Sequence, residues 1–159
     1  MITSEDTVTA TEVQRPFELR IENLHDNEVA LEVWQRPLNS TPAGNRPPVK
    51  VARIKGIALH VVWDHLISFL RRAGIRTNLL SPSRQQRSID LAEDIGVRVA
   101  LLVATLAPLH DLKRIEQIAA KLDVMSYEET CYWYALSRSE DYGARALRAL
   151  RILLAPDKK

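Results

Sequence analysis

The stretch Phe17–Val33, FELRIENLHDNEVALEV, decides the fold class, because its side chains alternate between apolar and polar. The alternation runs through residues 17–22 and resumes in residues 29–34. A period of two is typical of a strand with one buried face. Residues 25–27, HDN, lie between the two segments and favour a turn. The stretch therefore predicts an antiparallel hairpin.

The chain changes character on both sides of this hairpin. Residues 1–14 lack an apolar period and are rich in Thr, Ser and Glu, which predicts a mobile arm. Prolines and a glycine make residues 37–48 a predicted loop, after which a short third strand begins at Val49 and ends before Gly56. A small antiparallel sheet of three strands is therefore expected in residues 15–56.

After this sheet, apolar residues recur with the period of an α-helix. The stretch VRVALLVATLA, residues 97–107, is apolar on nearly every face, and its eleven residues fall short of the roughly 20 that cross a bilayer. It is predicted to be the buried central helix. The predicted helices run from Ile57 to Ala73, closed by Gly74; from Ser83 to about Ala107, with a candidate kink at Gly96; through residues 112–122; from a capping box at Ser126 and Glu129 to about Arg138; and from Asp141 through Leu154.

The order of the elements predicts an α+β fold, because strands come first and helices follow without alternation. A length of 159 residues is that of one ordinary domain. We expect a single domain over residues 15–159, with the sheet in residues 15–56 and about five helices in residues 57–155.

Composition narrows the class of protein. Hydrophobic residues make up 46% of the chain and charged residues 26%, as in ordinary globular proteins. The single cysteine, Cys131, excludes an internal disulfide framework and a multi-cysteine zinc site. The first residues are polar and acidic, unlike a signal peptide. We therefore expect a cytoplasmic protein that does not associate with membranes.

The net charge of +2 conceals blocks of alternating sign. Residues 1–32 carry eight acidic and two basic side chains, a net of −6, and residues 33–89 carry one acidic and ten basic, a net of +9. Residues 90–129 come to −4, from eight acidic and four basic, and residues 130–159 to +3, from three and six. The basic block either pairs with the acidic block before it or meets an acidic partner or a nucleic acid.

Direct nucleic-acid binding is one hypothesis for the basic block. Arginine outnumbers lysine sixteen to six, and the planar guanidinium suits phosphate groups. A nucleic-acid-binding protein of this kind would lose affinity steeply as salt rises. The predicted phosphate contacts are Arg71, Arg72, Arg76, Arg84 and Arg87.

The sequence offers no convincing catalytic, cofactor or metal site. His60, Asp64 and Ser68 share a helix face, but a straight helix provides no free backbone N–H groups to stabilise an oxyanion. His60 and Asp64 have a metal-ligand spacing without a recognisable third ligand. A glycine-rich phosphate loop and a nucleophile elbow are absent from the sequence. We therefore expect a protein that is not an enzyme and binds no cofactor.

A partner-binding surface is predicted on the last two helices. The segment YEETCYWYAL, residues 127–136, holds four of the nine aromatic residues within eight positions, more than one core requires. Tyr, Trp and Arg are the side chains that dominate protein interfaces. Ordinary burial of these aromatics, with Cys131 in the core and the arginines solvated, is the alternative. The predicted partner contacts are Tyr127, Trp133, Tyr134, Arg145, Arg148 and Arg151.

Four stretches resemble a small uncharacterised bacterial domain family that is associated with anti-phage defence operons: IALHVVWDHLISFLRRAG, LAEDIGVRVALLVATLAPL, MSYEETCYWYALSRS and RALRALRILLA. The resemblance covers residues from about 49 to 155. It implies the company of a large ATPase, a DNA methyltransferase and a helicase, and it assigns no catalytic residue. It therefore implies an accessory or adaptor subunit, whose partner is a larger protein such as the ATPase or the helicase.

Overall fold

The computed structural model describes residues 15–24, 28–37, 47–56, 59–76 and 87–155. The predicted arm over residues 1–14, the predicted turn at residues 25–27 and Arg84 lie outside these ranges. The described residues form an α+β fold, as predicted. Its strands are β1 (Phe17–Asn23), β2 (Val29–Gln35), β3 (Val49–Lys55) and β4 (Arg87–Leu91), and its helices are α1 (Leu59–Arg72), α2 (Glu93–Leu106), α3 (Leu112–Asp123), α4 (Tyr127–Ser137) and α5 (Gly143–Leu154).

The strands form one antiparallel sheet in the order β3-β2-β1-β4. Leu19 in β1 lies opposite Val33 in β2 and Ile89 in β4, so the alternation along each strand places apolar residues on one face. The register of β2 and β3 shifts between Val33 and Trp34. The predicted hairpin of β1 and β2 is confirmed, and its buried face forms one side of the core.

The prediction of three strands was wrong, because residues 87–91 form β4 rather than part of a helix. This segment, RSIDL, pairs with β1 from Phe17 to Ile21. Ile89 and Leu91 alternate with Ser88 and Asp90, but five residues are too few for periodicity to separate a strand from a helix. The open edge of β1 decides the outcome, since pairing satisfies its backbone groups.

The predicted central helix is confirmed as α2. Ten of its 14 residues are buried. It packs across β1, β2 and β3 and contacts each of the other four described helices. The apolar character around the whole helix, noted in residues 97–107, follows from this position, because neighbouring elements cover α2 on nearly every side.

Arg98 and Thr105, the two polar residues of the stretch 97–107, donate hydrogen bonds to backbone carbonyl oxygens. Arg98 donates hydrogen bonds to the carbonyl oxygens of Leu122, at 3.1 Å, and Met125, at 2.7 Å, and so satisfies the end of α3. Thr105 donates its hydroxyl proton to the Leu101 carbonyl at 2.6 Å. The polar side chains of this buried helix therefore have their hydrogen-bonding groups satisfied by backbone carbonyls.

Helix ends follow the predicted signals except at the starts of α2 and α5. The helix predicted from Ser83 begins at Glu93 as α2. Gly74 has φ +79° and follows α1 as predicted, in the left-handed region that glycine favours. The Ser126 hydroxyl accepts a hydrogen bond from the Glu129 N–H at 3.1 Å and caps α4. The prediction that Asp141 caps the last helix was wrong, because α5 begins at Gly143 and the Ser139 hydroxyl accepts from the N–H groups of Asp141 and Tyr142 instead.

Candidate partner-binding surface

The outer face of the sheet pairs the acidic and basic blocks of the chain with each other. A guanidinium nitrogen of Arg36 lies 3.3 Å from a Glu18 carboxylate oxygen, and Arg53 donates to Glu32 at 2.9 Å. Lys50 lies 3.6 Å from the same Glu32 carboxylate. The positive charges of Arg36, Lys50 and Arg53 are therefore compensated within the chain. This agrees with the hypothesis that the basic block pairs with the acidic block before it.

Glu18 is the most deeply placed of these carboxylates, with 8% of its surface exposed. Burial raises the pKa of Glu18, but hydrogen bonds from Ser88 and Arg20 and the charges of Arg20 and Arg36 outweigh it and hold the pKa below its ordinary value of 4.5. The pKa of Glu32 is lowered in the same way: burial raises it, and the hydrogen bonds from Trp34 and Arg53 and nearby positive charges outweigh burial. Both carboxylates are therefore ionised at neutral pH, where their ion pairs stabilise the sheet.

We expect stability to fall as pH drops below about 4.5, because the folded protein then binds fewer protons at Glu18 and Glu32 than the unfolded chain does. Their contribution is complete above the unfolded-state pKa and is lost as pH falls through the lowered folded-state pKa. Replacing Glu18→Gln should cost about 1 to 3 kcal/mol at pH 7, since it leaves Arg20 without its carboxylate and leaves Arg36 paired with Asp90 alone.

Urea denaturation of the parent and of Glu18→Gln at pH 7 and pH 3.5 measures this contribution. The difference between the two proteins should shrink at pH 3.5, because the Glu18 carboxyl of the unfolded parent is then largely protonated and its lowered pKa in the folded state contributes less stability. Glu116→Gln, an exposed change on α3, is the matched control and should leave stability unchanged at both values. A difference that stays constant between the two pH values contradicts the assignment.

The predicted nucleic-acid contacts lie at the end of α1, just after it and on β4. Arg71 and Arg72, with Asp64, Ile67 and Ser68, line an open groove of about 510 Å³. Arg72 forms an ion pair with Asp123 of α3, and Arg76 is exposed.

The structure does not place the other predicted nucleic-acid contacts in this groove. Arg87 starts β4 opposite Ile21 and has a partner within the protein. Arg84 lies outside the described residues. Of the helix face considered for catalysis, Asp64 and Ser68 border the open groove, while His60 also has a partner within the protein. The groove is shallow and polar, with two arginines as its positive groups.

Helix α4 carries large side chains around its whole circumference. Thr130 is the one residue that is buried among those of α4, and its hydroxyl donates to the Ser126 carbonyl at 2.7 Å. The helix packs against α2 on one side and α5 on another. Aromatic residues on a helix that buries so little of itself leave contact surface unused by the fold.

Two of the predicted partner contacts face the core. Tyr134 donates its hydroxyl proton to the Gln35 side chain at 3.1 Å, and its ring meets the Phe17 ring edge-on at 5.9 Å between centroids. Burial raises the pKa of Tyr134, against the charge of Arg138. Trp133 is half-buried and packs against the core. These two aromatics therefore stabilise α4 on the domain.

The outward side chains of α4 and α5 include residues that sequence reasoning missed. Tyr132 is 60% exposed and sits edge-on to Trp133 at 5.5 Å. Ile152 and Leu153 are 56% and 53% exposed on α5. The aromatic cluster signalled Tyr132, whereas nothing in the sequence signalled Ile152 and Leu153, because large aliphatic residues are usually buried. We call the exposed large apolar residues of this region the α4–α5 surface; they are Tyr127, Tyr132, Tyr142, Ile152 and Leu153.

Tyr127 combines exposure with a shielded hydroxyl group. The hydrogen bond with Cys131, partial burial and the charges of Cys131, Glu93 and Asp94 raise the pKa of Tyr127 to about 12. The phenol is therefore neutral at physiological pH. Cys131 itself is partly buried and packs against the core, as the ordinary interpretation of this cysteine predicts.

Of the three arginines predicted as partner contacts, two are exposed on α5 and one turns inward. Arg145 is exposed, with its guanidinium 5.9 Å from the centre of the Tyr142 ring, and Arg148 is exposed one turn later. Arg151 turns inward and donates from Nε to the Thr105 carbonyl at 2.7 Å. Arg145 and Arg148 therefore remain available to a partner beside the α4–α5 surface.

Within the described ranges, no three His, Cys, Asp or Glu side chains are grouped as metal ligands would be. The helices described there are all too short or too polar to span a bilayer.

A family profile described as a domain of unknown function (DUF7680) matches residues 17–156. The searches of curated proteins and of solved structures find no significant match. The family match confirms the expectation of an uncharacterised domain family, and the association with anti-phage defence stays a prediction.

Proposed function

We propose that this chain, which belongs to the family described as a domain of unknown function (DUF7680), is a non-enzymatic accessory subunit that binds a larger protein. The observation that carries the proposal is the outward face of α4 and α5. Five large apolar side chains are exposed on α4, on α5 and at Tyr142 just before α5, and Arg145 and Arg148 of α5 are exposed as well. Aromatic and arginine side chains together have the composition of an interface centre.

The division of labour within α4 supports this role. Tyr134 and Trp133 hold the helix on the core, so Tyr132 and Tyr127 are presented from a supported backbone. Rigid aromatic anchors lose little conformational entropy when they bind, which favours affinity. The folded domain therefore holds the exposed Tyr127 and Tyr132 in a position from which they could contact a partner.

The identity of the partner rests on the resemblance to the family of anti-phage defence operons. We propose that the larger protein is a subunit of a bacterial defence complex, such as its ATPase or helicase, and that the chain acts in the cytoplasm. The predicted direct binding of nucleic acid is less well supported, because Arg72 is paired with Asp123 and part of the basic block is neutralised within the sheet.

Replacing Ile152→Ser and Leu153→Ser together should weaken partner binding at least tenfold while leaving the melting temperature nearly unchanged, because both side chains are more than half exposed. The measurement is co-purification of the tagged chain from its native host, with the captured subunit identified by mass spectrometry. Val124→Ser is the matched control, since Val124 is 82% exposed and follows α3, outside α4 and α5. Capture that the double variant leaves intact contradicts the proposal.

The same proteins distinguish the competing function. Titration against duplex and single-stranded DNA at two salt concentrations should detect no salt-labile binding by the parent. Binding at low salt that Arg71→Ala with Arg76→Ala removes, and that Ile152→Ser with Leu153→Ser retains, would make the protein a nucleic-acid binder instead.

A further inference from the structure

Helix α5 exposes apolar side chains in addition to those it buries. Its inward face carries Ala146, Leu150 and Leu154, which are buried and hold the helix on the domain. Ile152 and Leu153 lie in the last turn and are 56% and 53% exposed. The described residues therefore leave apolar surface of α5 uncovered, and such surface favours contact with another molecule.

The outward face of α5 also carries positive charge. Arg145 and Arg148 are exposed, and they share one side of the helix with Ile152, because residues three, four and seven positions apart lie on the same face. The helix dipole adds positive potential at the start of α5, where Tyr142 provides no side-chain cap. The face is therefore cationic in its first half and apolar in its last turn.

No carboxylate in the described ranges forms an ion pair with these two arginines, because every ion pair there involves another cation. Glu140 and Asp141, which come just before Tyr142, are exposed and take part in none of these pairs. The guanidinium group of Arg145 lies 5.9 Å from the centre of the Tyr142 ring. The charges of this face are therefore complementary to an acidic partner.

A second copy of the chain does not suit this face. Arg148 lies near the middle of α5, so a symmetric pair of antiparallel α5 helices would set each Arg148 against its own counterpart. Like charges in direct opposition weaken an interface. An acidic segment avoids this repulsion and supplies a carboxylate to each arginine.

The side of a helix favours another helix as the docked segment. An extended peptide gains affinity from backbone hydrogen bonds to a sheet edge, and the side of α5 offers no such edge. An amphipathic helix satisfies its own backbone groups and packs its apolar residues against its neighbour. Ile152 lies about 6 Å beyond Arg148 and about 10 Å beyond Arg145 along the axis, at about 1.5 Å per residue. A complementary helix carries carboxylates one to two turns from its apolar residues.

We propose that α5 docks an acidic amphipathic helix of the larger protein, an assignment that rests on the proposed function. Carboxylates of that helix pair with Arg145 and Arg148, and its apolar side chains cover Ile152 and Leu153. Arginine suits this contact because its planar fork donates two parallel hydrogen bonds to a carboxylate.

Charge reversal on α5 tests the acidic character of the partner. Arg145→Glu together with Arg148→Glu should weaken capture of the partner from the native host at least tenfold, because carboxylates would then face carboxylates. The melting temperature should stay close to that of the parent, since both positions are exposed. Lys55→Glu together with Lys121→Glu is the matched control, because it makes the same change of net charge at exposed positions of β3 and α3. The control should retain capture.

The variants separate failure of this assignment from failure of the proposed function. Capture that survives charge reversal but is lost in Ile152→Ser with Leu153→Ser overturns the acidic helix and leaves the proposed function standing. Capture that survives both changes contradicts the proposed function as well. An equal loss in Lys55→Glu with Lys121→Glu would assign the effect to net charge and also overturn the acidic helix.

Cross-linking locates the docked segment of the partner. In Arg148→Lys, a water-soluble carbodiimide couples the introduced amine to a carboxylate in direct contact. Mass spectrometry of the captured complex should find the cross-link at an Asp or Glu of a partner segment whose apolar residues recur every three or four positions. Capture without a cross-link to a partner carboxylate, or a cross-link in a segment without that period, overturns the docked helix.

Two further measurements of the parent test the other occupants of this face. Co-sedimentation with phosphatidylcholine vesicles that contain phosphatidylserine, if abolished by Arg145→Glu with Arg148→Glu, would identify an anionic lipid surface instead. A dimer in light scattering that Ile152→Ser with Leu153→Ser dissociates would identify a second copy. Either result overturns the proposal, and a monomer that does not sediment with the vesicles supports it.

Discussion

Gly96→Ala is expected to destabilise the domain by about 3 kcal/mol, although alanine is the better helix former by about 1 kcal/mol. Gly96 lies in α2 where the helix crosses the beginning of β1, and a Cβ atom there would overlap the Cβ atom and ring of Phe17. Turning the ring cannot relieve a clash with Phe17 Cβ, so the helix or the strand has to move. Overpacking of this kind costs more than helix propensity returns.

Thermal and urea unfolding of Gly96→Ala measure the effect, with an expected fall in melting temperature on the order of 10 °C. Gln117→Ala on α3 is the matched control, because it also introduces alanine into a helix but at an exposed position. Its stability should remain within about 0.5 kcal/mol of the parent. A Gly96→Ala protein that is more stable than the parent would show that α2 and β1 do not approach as closely as described.

Tyr134→Ala should cost about 3 kcal/mol, whereas Tyr132→Ala, two residues away on the same helix, should cost less than about 0.5 kcal/mol. The Tyr134 ring packs against Phe17 and its hydroxyl reaches Gln35, so truncation removes both apolar contact and a hydrogen bond. Tyr132 is largely exposed. The contrast separates the two roles that one aromatic cluster plays.

Urea unfolding of the two variants and of Tyr134→Phe resolves these contributions. Tyr134→Phe should lose about 1 kcal/mol, because it deletes the hydroxyl group that bonds Gln35 and keeps the ring. Partner capture should be weakened by Tyr132→Ala and kept by Tyr134→Phe. Equal destabilisation by Tyr132→Ala and Tyr134→Ala would mean that α4 is buried on both sides, which contradicts a binding surface there.

Sequence periodicity predicted the hairpin of β1 and β2 and the central position of α2, and each depends on local pattern alone. Alternation from residue 17 to residue 22 places one strand face inward whatever the neighbouring strand is. Residues 97–107 are apolar on nearly every face, so a helix formed by them needs neighbouring elements on all sides. The sheet and the other four described helices provide these neighbours for α2. Helix caps such as Ser126 were equally readable, because the cap and its target lie three residues apart.

The candidate sites were less predictable, because exposure depends on which helix covers which face. Trp133 and Tyr134 share a cluster with Tyr132, yet two of the three turn toward the core. Arg151 belongs to a regular stripe with Arg145 and Arg148 but bonds the Thr105 carbonyl of another helix. Spacing along one helix defines its faces, and it does not identify the face that neighbours will cover.

Local pattern by itself thus determined where the first three strands and most of the helix ends lie, since hydrophobic periods and caps act over a few residues. Tertiary structure decided two further features: the strand character of residues 87–91 and the close approach of Gly96 to Phe17. Each joins residues that are distant in the chain. The physical reason is that an open strand edge and a tight packing contact exist only when separate elements are brought together.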